Sequence, residues 1–230
     1  MSKRQFLIIG LGTFGINLAR YLSEKNAEVT AIDRDEQRTQ EASSFLQNVI
    51  TGDATDEKML RSIGLSDIDV AVVSLSKNLE SSILITLLLR ELGAKKIIVK
   101  SINQMHARIA TRVGADRVIY PEVEMAKKLA ESLVSPNILE EIELSPDYNL
   151  VEIVVPKKFW NKTLRQANIR GVYNLNVIAI KRKVPILNDA GESDIKEEIN
   201  IAPLAEDEFA EGDIIVVIGK EPDIEKLNTD

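Results

Sequence analysis

The sequence predicts an α/β protein, a doubly wound parallel sheet followed by a smaller α+β lobe. Three observations predict it. From Gln5 to Val134 short β-branched runs alternate with segments of helical period, the pattern of a parallel sheet covered on both faces. The first run ends in a glycine-rich turn that opens a helical segment. Around Ser135-Pro136-Asn137 the alternation stops.

Taken in order, the predicted strands are FLIIG at 6–10, VTAID at 29–33, NVIT at 48–51, VAVVSL at 70–75, IIVK at 97–100 and RVIY at 117–120. They are apolar on both alternating faces, as strands buried on two sides must be. The long helix SILITLLLREL starts at Asn78 or Ser81 and stops at Gly93. Beyond a boundary at about 136–145, which divides the chain into domains 1–137 and 138–230, NLVEIVV, NLNVIAIKRK and DIIVVIG read as antiparallel strands, with one short helix near Thr163 to Asn168. Residues 189–213 carry ten acidic side chains against the single Lys196, which reads as a solvated loop or hairpin.

Composition narrows the function. The 230 residues are 44% hydrophobic, ordinary for a globular protein, and 36 acids against 29 bases leave a net charge of −7. Residues 1–140 balance at 18 of each sign, so the whole excess lies in the last 90 residues. This argues against a general nucleic-acid binder, whose affinity comes from phosphate neutralisation by a basic face. The chain has no cysteine, which excludes disulfides, thiolate metal sites and cysteine nucleophiles and points to a reducing compartment. No apolar run approaches the roughly 18 residues that span a bilayer. Lys3 and Arg4 ahead of Phe6-Leu-Ile-Ile imitate the start of a signal peptide, but Gly10, Gly12 and Thr13 cut the run, and it reads as a buried strand entering a turn.

The turn is Gly10-Leu11-Gly12-Thr13-Phe14-Gly15, a G-x-G-x-x-G between a predicted strand and a predicted helix. Gly10 permits the tight turn, Gly12 lets a pyrophosphate approach the backbone, and Gly15 lets helix and strand pack closely. The helix N-terminus then presents N–H groups and a positive dipole end to phosphate. Asp33 ends the second strand 18 residues after Gly15, where its carboxylate can accept ribose hydroxyls. Together these make a Rossmann-type nucleotide fingerprint. Asp33 opposes a 2′-phosphate, an exclusion that the adjacent Arg34 weakens; its other reading is a cap on the following helix. After the third strand, Gly52-Asp53-Ala54-Thr55 reaches the same sheet edge, where Asp53 accepts an adenine amino group or else Asp53 or Thr55 caps the next helix. Lys100, ending the fifth strand, is placed to meet phosphate charge. Glu122 and Glu124 follow the sixth; Glu122 is a first-turn helix acid or a metal ligand.

Catalytic apparatus is missing from the pattern. His106 is the only histidine and reads as a surface or packing residue. Tyr21 and Lys25 have the Tyr-x-x-x-Lys spacing of short-chain dehydrogenases, but inside the helix after the glycine turn, which points them away from a nicotinamide. There is no Gly-x-Ser-x-Gly elbow and no Walker lysine. A bound nucleotide therefore reads as an effector, against the alternative of a small NAD-dependent oxidoreductase or Rossmann-type redox sensor.

GLGTFG, Asp33, GDAT, VKSIN and GADRVIYPE followed by a helix together resemble the regulator-of-potassium-conductance (RCK) domains of TrkA/KtrA/KtrC-type subunits, over nearly the whole chain. The resemblance implies a cytoplasmic regulatory subunit, peripheral at the inner face of the membrane, that gates an integral-membrane potassium pore of TrkH/KtrB type. It implies homodimers paired by a crossover helix and assembled into an octameric ring, with no nucleic-acid partner. It places ATP, ADP, NAD or NADH against Gly10, Gly12, Thr13, Phe14, Gly15, Asp33, Arg34, Asp53, Ala54, Thr55 and Lys100, and Mg2+, Ca2+ or Na+ at Glu122. Thr13 stands where KtrA-like members usually carry arginine, a departure that favours NAD or NADH. In the second lobe the resemblance implies cyclic di-AMP at Arg170 and Asn176, with Ile169, Leu175 and Pro203 as apolar wall. Extra residues between Val184 and Asn200 alter that pocket.

Overall fold

Six strands lie parallel in the order β3-β2-β1-β4-β5-β6 in this computed structural model, which describes residues 3–75, 78–187 and 193–229. They are β1 (Gln5–Ile9), β2 (Glu28–Asp33), β3 (Asn48–Thr51), β4 (Val70–Val73), β5 (Ile97–Lys100) and β6 (Arg117–Ile119). Each returns through a helix: α1 (Thr13–Glu24), α2 (Glu36–Ser43), α3 (Glu57–Ser62), α4 (Leu79–Glu91) and α5 (Gln104–Val113). This is the doubly wound Rossmann order, which reverses direction between β1 and β4. Ligands of such sheets sit at that reversal, outside the carboxyl ends of the strands. The register aligns those ends: Ile9 pairs with Ile32 and Val73, Asp33 with Thr51, and Lys100 with Ile119.

The apolar pattern explains the layering. Leu7 and Ile9 pack on one face with Ile32, Val73, Ile85, Leu89 and Ile97, whereas Ile8 packs on the other with Ala19, Ala31 and Val72. Burying a side chain of this size contributes about 1.5–3 kcal/mol. Asn78 caps α4 by accepting from the Ser81 N–H, so of the two predicted starts Asn78 is the cap. The one histidine, His106, is buried on α5, where its Nε2 lies 3.1 Å from the Ser82 hydroxyl of α4.

The chain divides into two compact units, Met1–Glu124 and Met125–Asp230, and α6 (Pro121–Val134) runs across the division. None of the residues of α6 is buried. The second unit is a five-stranded antiparallel sheet in the order β10-β9-β11-β8-β7. Its strands are β7 (Ile138–Ser145), β8 (Tyr148–Val154), β9 (Asn176–Leu187), β10 (Ser193–Ile201) and β11 (Ile214–Gly219). Helices α7 (Leu164–Ala167), α8 (Ile169–Tyr173) and α9 (Glu221–Thr229) complete it. Thr163 and Gln166 form a reciprocal capping box on α7, and Asn168, at φ 44°, turns the chain into α8.

Val151, Ile153, Ile215 and Val217 from the central strands pack with Phe159, Tyr173, Phe209, Ile224 and Leu227. Arg182 holds the buried Asp213 through two hydrogen bonds, Nε to Oδ1 at 2.7 Å and Nη2 to Oδ2 at 2.6 Å. Of the predicted solvated stretch 189–213, β10 is an exposed edge strand paired with β9, whereas Phe209 and Asp213 are buried. The tip between β9 and β10, residues 188–192, lies outside the described residues. Among the described residues, no helix is long and apolar enough to cross a membrane.

Candidate functional site

The glycine turn has the geometry that its sequence implies. Gly10 sits at φ 93°, a left-handed conformation in which a Cβ would also fall 2.8 Å from Leu75. A Cβ on Gly15 would lie 1.9 Å from the Gly10 carbonyl oxygen, so only glycine lets the first turn of α1 pack on the loop. Gly12 differs from both. Nothing lies within 4 Å of where its Cβ would be, and as N-cap of α1 it supplies no side-chain hydrogen bond. The N-terminus of α1 is therefore open at the backbone, the condition for an anion to approach.

Asp33 binds this loop to the second strand. Its Oδ2 accepts the Leu11 N–H at 2.6 Å and lies 3.5 Å from Arg38 Nη1, while its Oδ1 accepts the Asp35 N–H at 2.9 Å. The cap of α2 is Asp35, which accepts from the N–H groups of Gln37 and Arg38. Asp33 is thus not the helix cap that its position also allowed. A carboxylate offers about four lone-pair sites, of which the Leu11 and Asp35 N–H groups occupy two and Arg38 faces a third. The cap of α3 is likewise Asp56 and neither Asp53 nor Thr55. Asp53 instead accepts from the Thr55 N–H at 2.9 Å and its hydroxyl at 2.7 Å, and faces Arg34 at 3.5 Å. Those two hydrogen bonds, then the Arg34 charge, hold the Asp53 carboxyl below its ordinary range.

Gly10, Asp33, Arg34, Gly52, Asp53, Ala54 and Leu75 line one shallow cleft. Thr13 is exposed on the first turn of α1. Lys100 is 5% exposed; its Nζ lies 2.5 Å from Glu122 Oε1 and 5.6 Å from the ring centroid of Phe14. The hydrogen bond from Lys100 is the main reason the Glu122 carboxyl sits below its ordinary range.

Sequence reasoning missed the two caps, the Arg38 contact and Ser74. Asp35 and Asp56 each stand one residue before a helix, which was the available signal. Ser74 follows β4 at the strand reversal, and its hydroxyl is the one buried side-chain polar atom without a hydrogen-bond partner among the described residues. That orphan hydroxyl lies 3.3 Å from where a Gly15 Cβ would be. With the open Gly12 and the Asp33 carboxylate, it makes a site whose donors and acceptors fit a nucleotide.

A cation fits less well. Glu122 is engaged by Lys100, and no group of three or more His, Asp or Glu among the described residues is arranged to hold a metal. A hard cation takes six or more oxygens, so a cation at Glu122 would draw most of its oxygens from phosphate and water. The second-lobe reading also needs correction: Ile169 and Leu175 are 1% and 0% exposed and belong to the core, so they wall no surface pocket. Arg170 and Asn176 are exposed and Pro203 is half-buried.

The TrkA-N domain family matches residues 6–121 and the TrkA-C domain family residues 150–229. The chain belongs to the TrkA-N/TrkA-C family. Within it, the chain is 38% identical over 225 residues to Ktr system potassium uptake protein C of Bacillus subtilis, covering 98% of this chain and 96% of that protein. It is 32% identical to Ktr system potassium uptake protein A of the same organism, covering 100% and 98%. The fold of this family member superposes on the crystal structure of the GsuK RCK domain with a TM-score of 0.52 at 23% identity, over 98% of this chain and 46% of that one. The TrkA-N match spans the glycine turn, Asp33, Asp53 and Lys100, so the cleft lies within it.

Proposed function

We propose that the chain is a non-catalytic, nucleotide-binding regulatory subunit of a potassium uptake system. It acts in the cytoplasm at the inner face of the membrane, gating a separate integral-membrane pore. The observation that carries the potassium reading is the match to Ktr system proteins along essentially the full length of both chains. The nucleotide reading is supported by the cleft: phosphates at the N-terminus of α1 over Gly12, ribose hydroxyls on Asp33, and the base beside Asp53, Ala54 and Thr55. ATP, ADP, NAD and NADH share those groups. The first domain runs to residue 137 and includes α6, whose exposed Met125, Leu129 and Leu133 recur every fourth residue and pair two copies as the unit of an octameric ring. Gating then follows if nucleotide binds one arrangement of the paired copies more tightly than the other.

Calorimetric titration of nucleotide-stripped protein with ATP, ADP, NAD, NADH and cyclic di-AMP tests this. One or more of the first four binds wild type, and Asp33→Ala loses that binding by at least about tenfold; thermal unfolding is read alongside, because Asp33 also holds Leu11. Cyclic di-AMP binding lost only in Arg170→Ala places a second effector on the second lobe. Absence of any nucleotide binding by wild type, or turnover of a substrate, overturns the reading.

A further inference from the structure

The ribose end of the cleft carries more charge than its fingerprint carboxylate. Asp33, its side chain 9% exposed, is faced by Arg38 Nη1 at 3.5 Å, and the same guanidinium lies 3.6 Å from Asp35 through its Nε. Arg34, the neighbour expected to soften the repulsion between Asp33 and a 2′-phosphate, is paired instead with Asp53 at 3.5 Å. The shield on the ribose carboxylate is therefore Arg38, on the first turn of α2. Its side chain is 45% exposed, so a ligand group at the cleft mouth can reach it. A guanidinium carries five N–H donors in a planar fork that matches phosphate oxygens. Both carboxylate contacts are longer than hydrogen bonds, so the fork is free to turn from carboxylate to phosphate.

We propose that Arg38 sets how the site treats the ribose 2′ position and extends its ligands to adenine nucleotides that carry a 2′-phosphate, an inference that rests on the nucleotide reading above. An unshielded aspartate at the end of the second strand rejects a 2′-phosphate by like charge, whereas an arginine nearby accommodates one. Here the two stand 3.5 Å apart, with Asp35 as a second anchor for the guanidinium. A ribose with a free 2′-hydroxyl bonds Asp33. A 2′-phosphate takes the Arg38 fork, and Asp33 keeps the 3′-hydroxyl. The discrimination that Asp33 alone would impose is thereby reduced, and removal of Arg38 restores it.

Calorimetric titration of the full chain with adenosine 5′-monophosphate (AMP), adenosine 2′,5′-bisphosphate and adenosine 3′,5′-bisphosphate tests the proposal on wild type, Arg38→Met and Arg38→Lys. Wild type binds AMP and the 2′,5′-bisphosphate. Arg38→Met weakens the 2′,5′-bisphosphate about fivefold relative to AMP, the size of one partly exposed ion pair, and leaves the 3′,5′-bisphosphate unchanged relative to AMP. Arg38→Lys, which keeps the charge and loses the fork, falls between wild type and Arg38→Met. A ratio of 2′,5′-bisphosphate to AMP affinity that Arg38→Met does not alter overturns the proposal, as does a wild type that takes AMP and rejects the 2′,5′-bisphosphate. Equal loss for the two bisphosphates makes Arg38 a source of diffuse charge and also overturns it. AMP is the part that ATP, ADP, NAD and NADH share, so a wild type that binds none of the three probes removes the nucleotide reading itself and this inference with it.

Discussion

Two glycines of one turn separate folding from binding. Alanine at position 15 would place its Cβ 1.9 Å from a backbone oxygen, so the loop or α1 must move. Gly15→Ala is expected to lower stability by about 3 kcal/mol, the upper range for overpacking, and to lose nucleotide binding with it. Alanine at position 12 meets nothing, and a Gly-to-Ala change at a helix N-cap costs about 1 kcal/mol, alanine being the poorer cap. Gly12→Ala is therefore expected to lose only about 1 kcal/mol in urea unfolding, yet to bind nucleotide at least about tenfold more weakly because its methyl takes the space of a phosphate. Parallel losses in both variants would mean that the turn is only structural. The sequence made these positions legible because Gly-x-Gly-x-x-Gly assigns each glycine a separate steric task. It could not assign Asp53 against Asp56, or Asp33 against Asp35, since a cap and a ligand carboxylate have the same chemistry and differ only in which N–H they meet. Nor does sequence show that Lys100 and Glu122 meet, because that depends on where α6 begins relative to β5.

Elements of the first unit were easier to read than those of the second. β1, β4 and β5 are nearly continuous apolar runs because both their faces are covered, and helices of regular period lie between them. β7, with the sequence ILEEIELS, and β10, with SDIKEEINI, mix apolar and charged residues because solvent reaches them, so no clean alternation marks them as strands. α8 has only five residues and begins at a left-handed asparagine, too short to show a period. The charge that hid β10 also protects it. Among the described residues its outer edge has no partner strand, and Asp194 Oδ1 accepts the N–H of its neighbour Ile195 at 2.8 Å. Replacing Asp194, Lys196, Glu197 and Glu198 together with threonine leaves Ile195, Ile199 and Ile201 on an uncharged edge. That variant is expected to associate with concentration in light scattering where wild type does not, and an unchanged profile would show that the edge needs no protection.

The α4–α5 packing carries a pH dependence of its own. Burial lowers the pKa of His106, whose Nδ1 accepts from the Ile102 N–H at 3.4 Å, which leaves Nε2–H to donate to Ser82. An imidazolium would keep the Nε2–H donor to Ser82 but lose the Nδ1 acceptor that meets the Ile102 N–H. Because the folded pKa is lowered, the unfolded chain binds a proton that folded His106 refuses, and stability falls as pH drops below about 6.5 until the folded pKa is reached. The slope is at most about 1.4 kcal/mol per pH unit. Urea unfolding at pH 7.5, 6.5 and 5.5 should show this loss, and His106→Gln should flatten it. An identical slope in the variant would assign the loss to other groups.

At the scale of the molecule, each unit has cores of its own: Leu7, Ile8 and Ile9 anchor those of the first, and Ile153, Ile215 and Phe209 that of the second. α6, which runs across their division, contributes to none of them. Val123, Met125, Leu129, Leu133 and Val134 are between 57% and 82% exposed. A helix that is apolar along one stripe and buried nowhere in its own chain gains little from folding alone, so its stability must come from another surface. In the proposed assembly that surface is α6 of a second copy. Leu129→Glu with Leu133→Glu puts four carboxylates into such a pairing and removes no buried contact from the single chain. Sedimentation should then show the mass of the assembly falling toward that of one chain, while the cores of the two units, to which α6 contributes nothing, still unfold cooperatively. A wild-type mass retained by the double variant would move the pairing surface elsewhere and leave the α6 stripe without its proposed role. A dissociated variant that still bound nucleotide with wild-type affinity would show that the cleft is complete within one chain, and that assembly serves the response to nucleotide and not its capture.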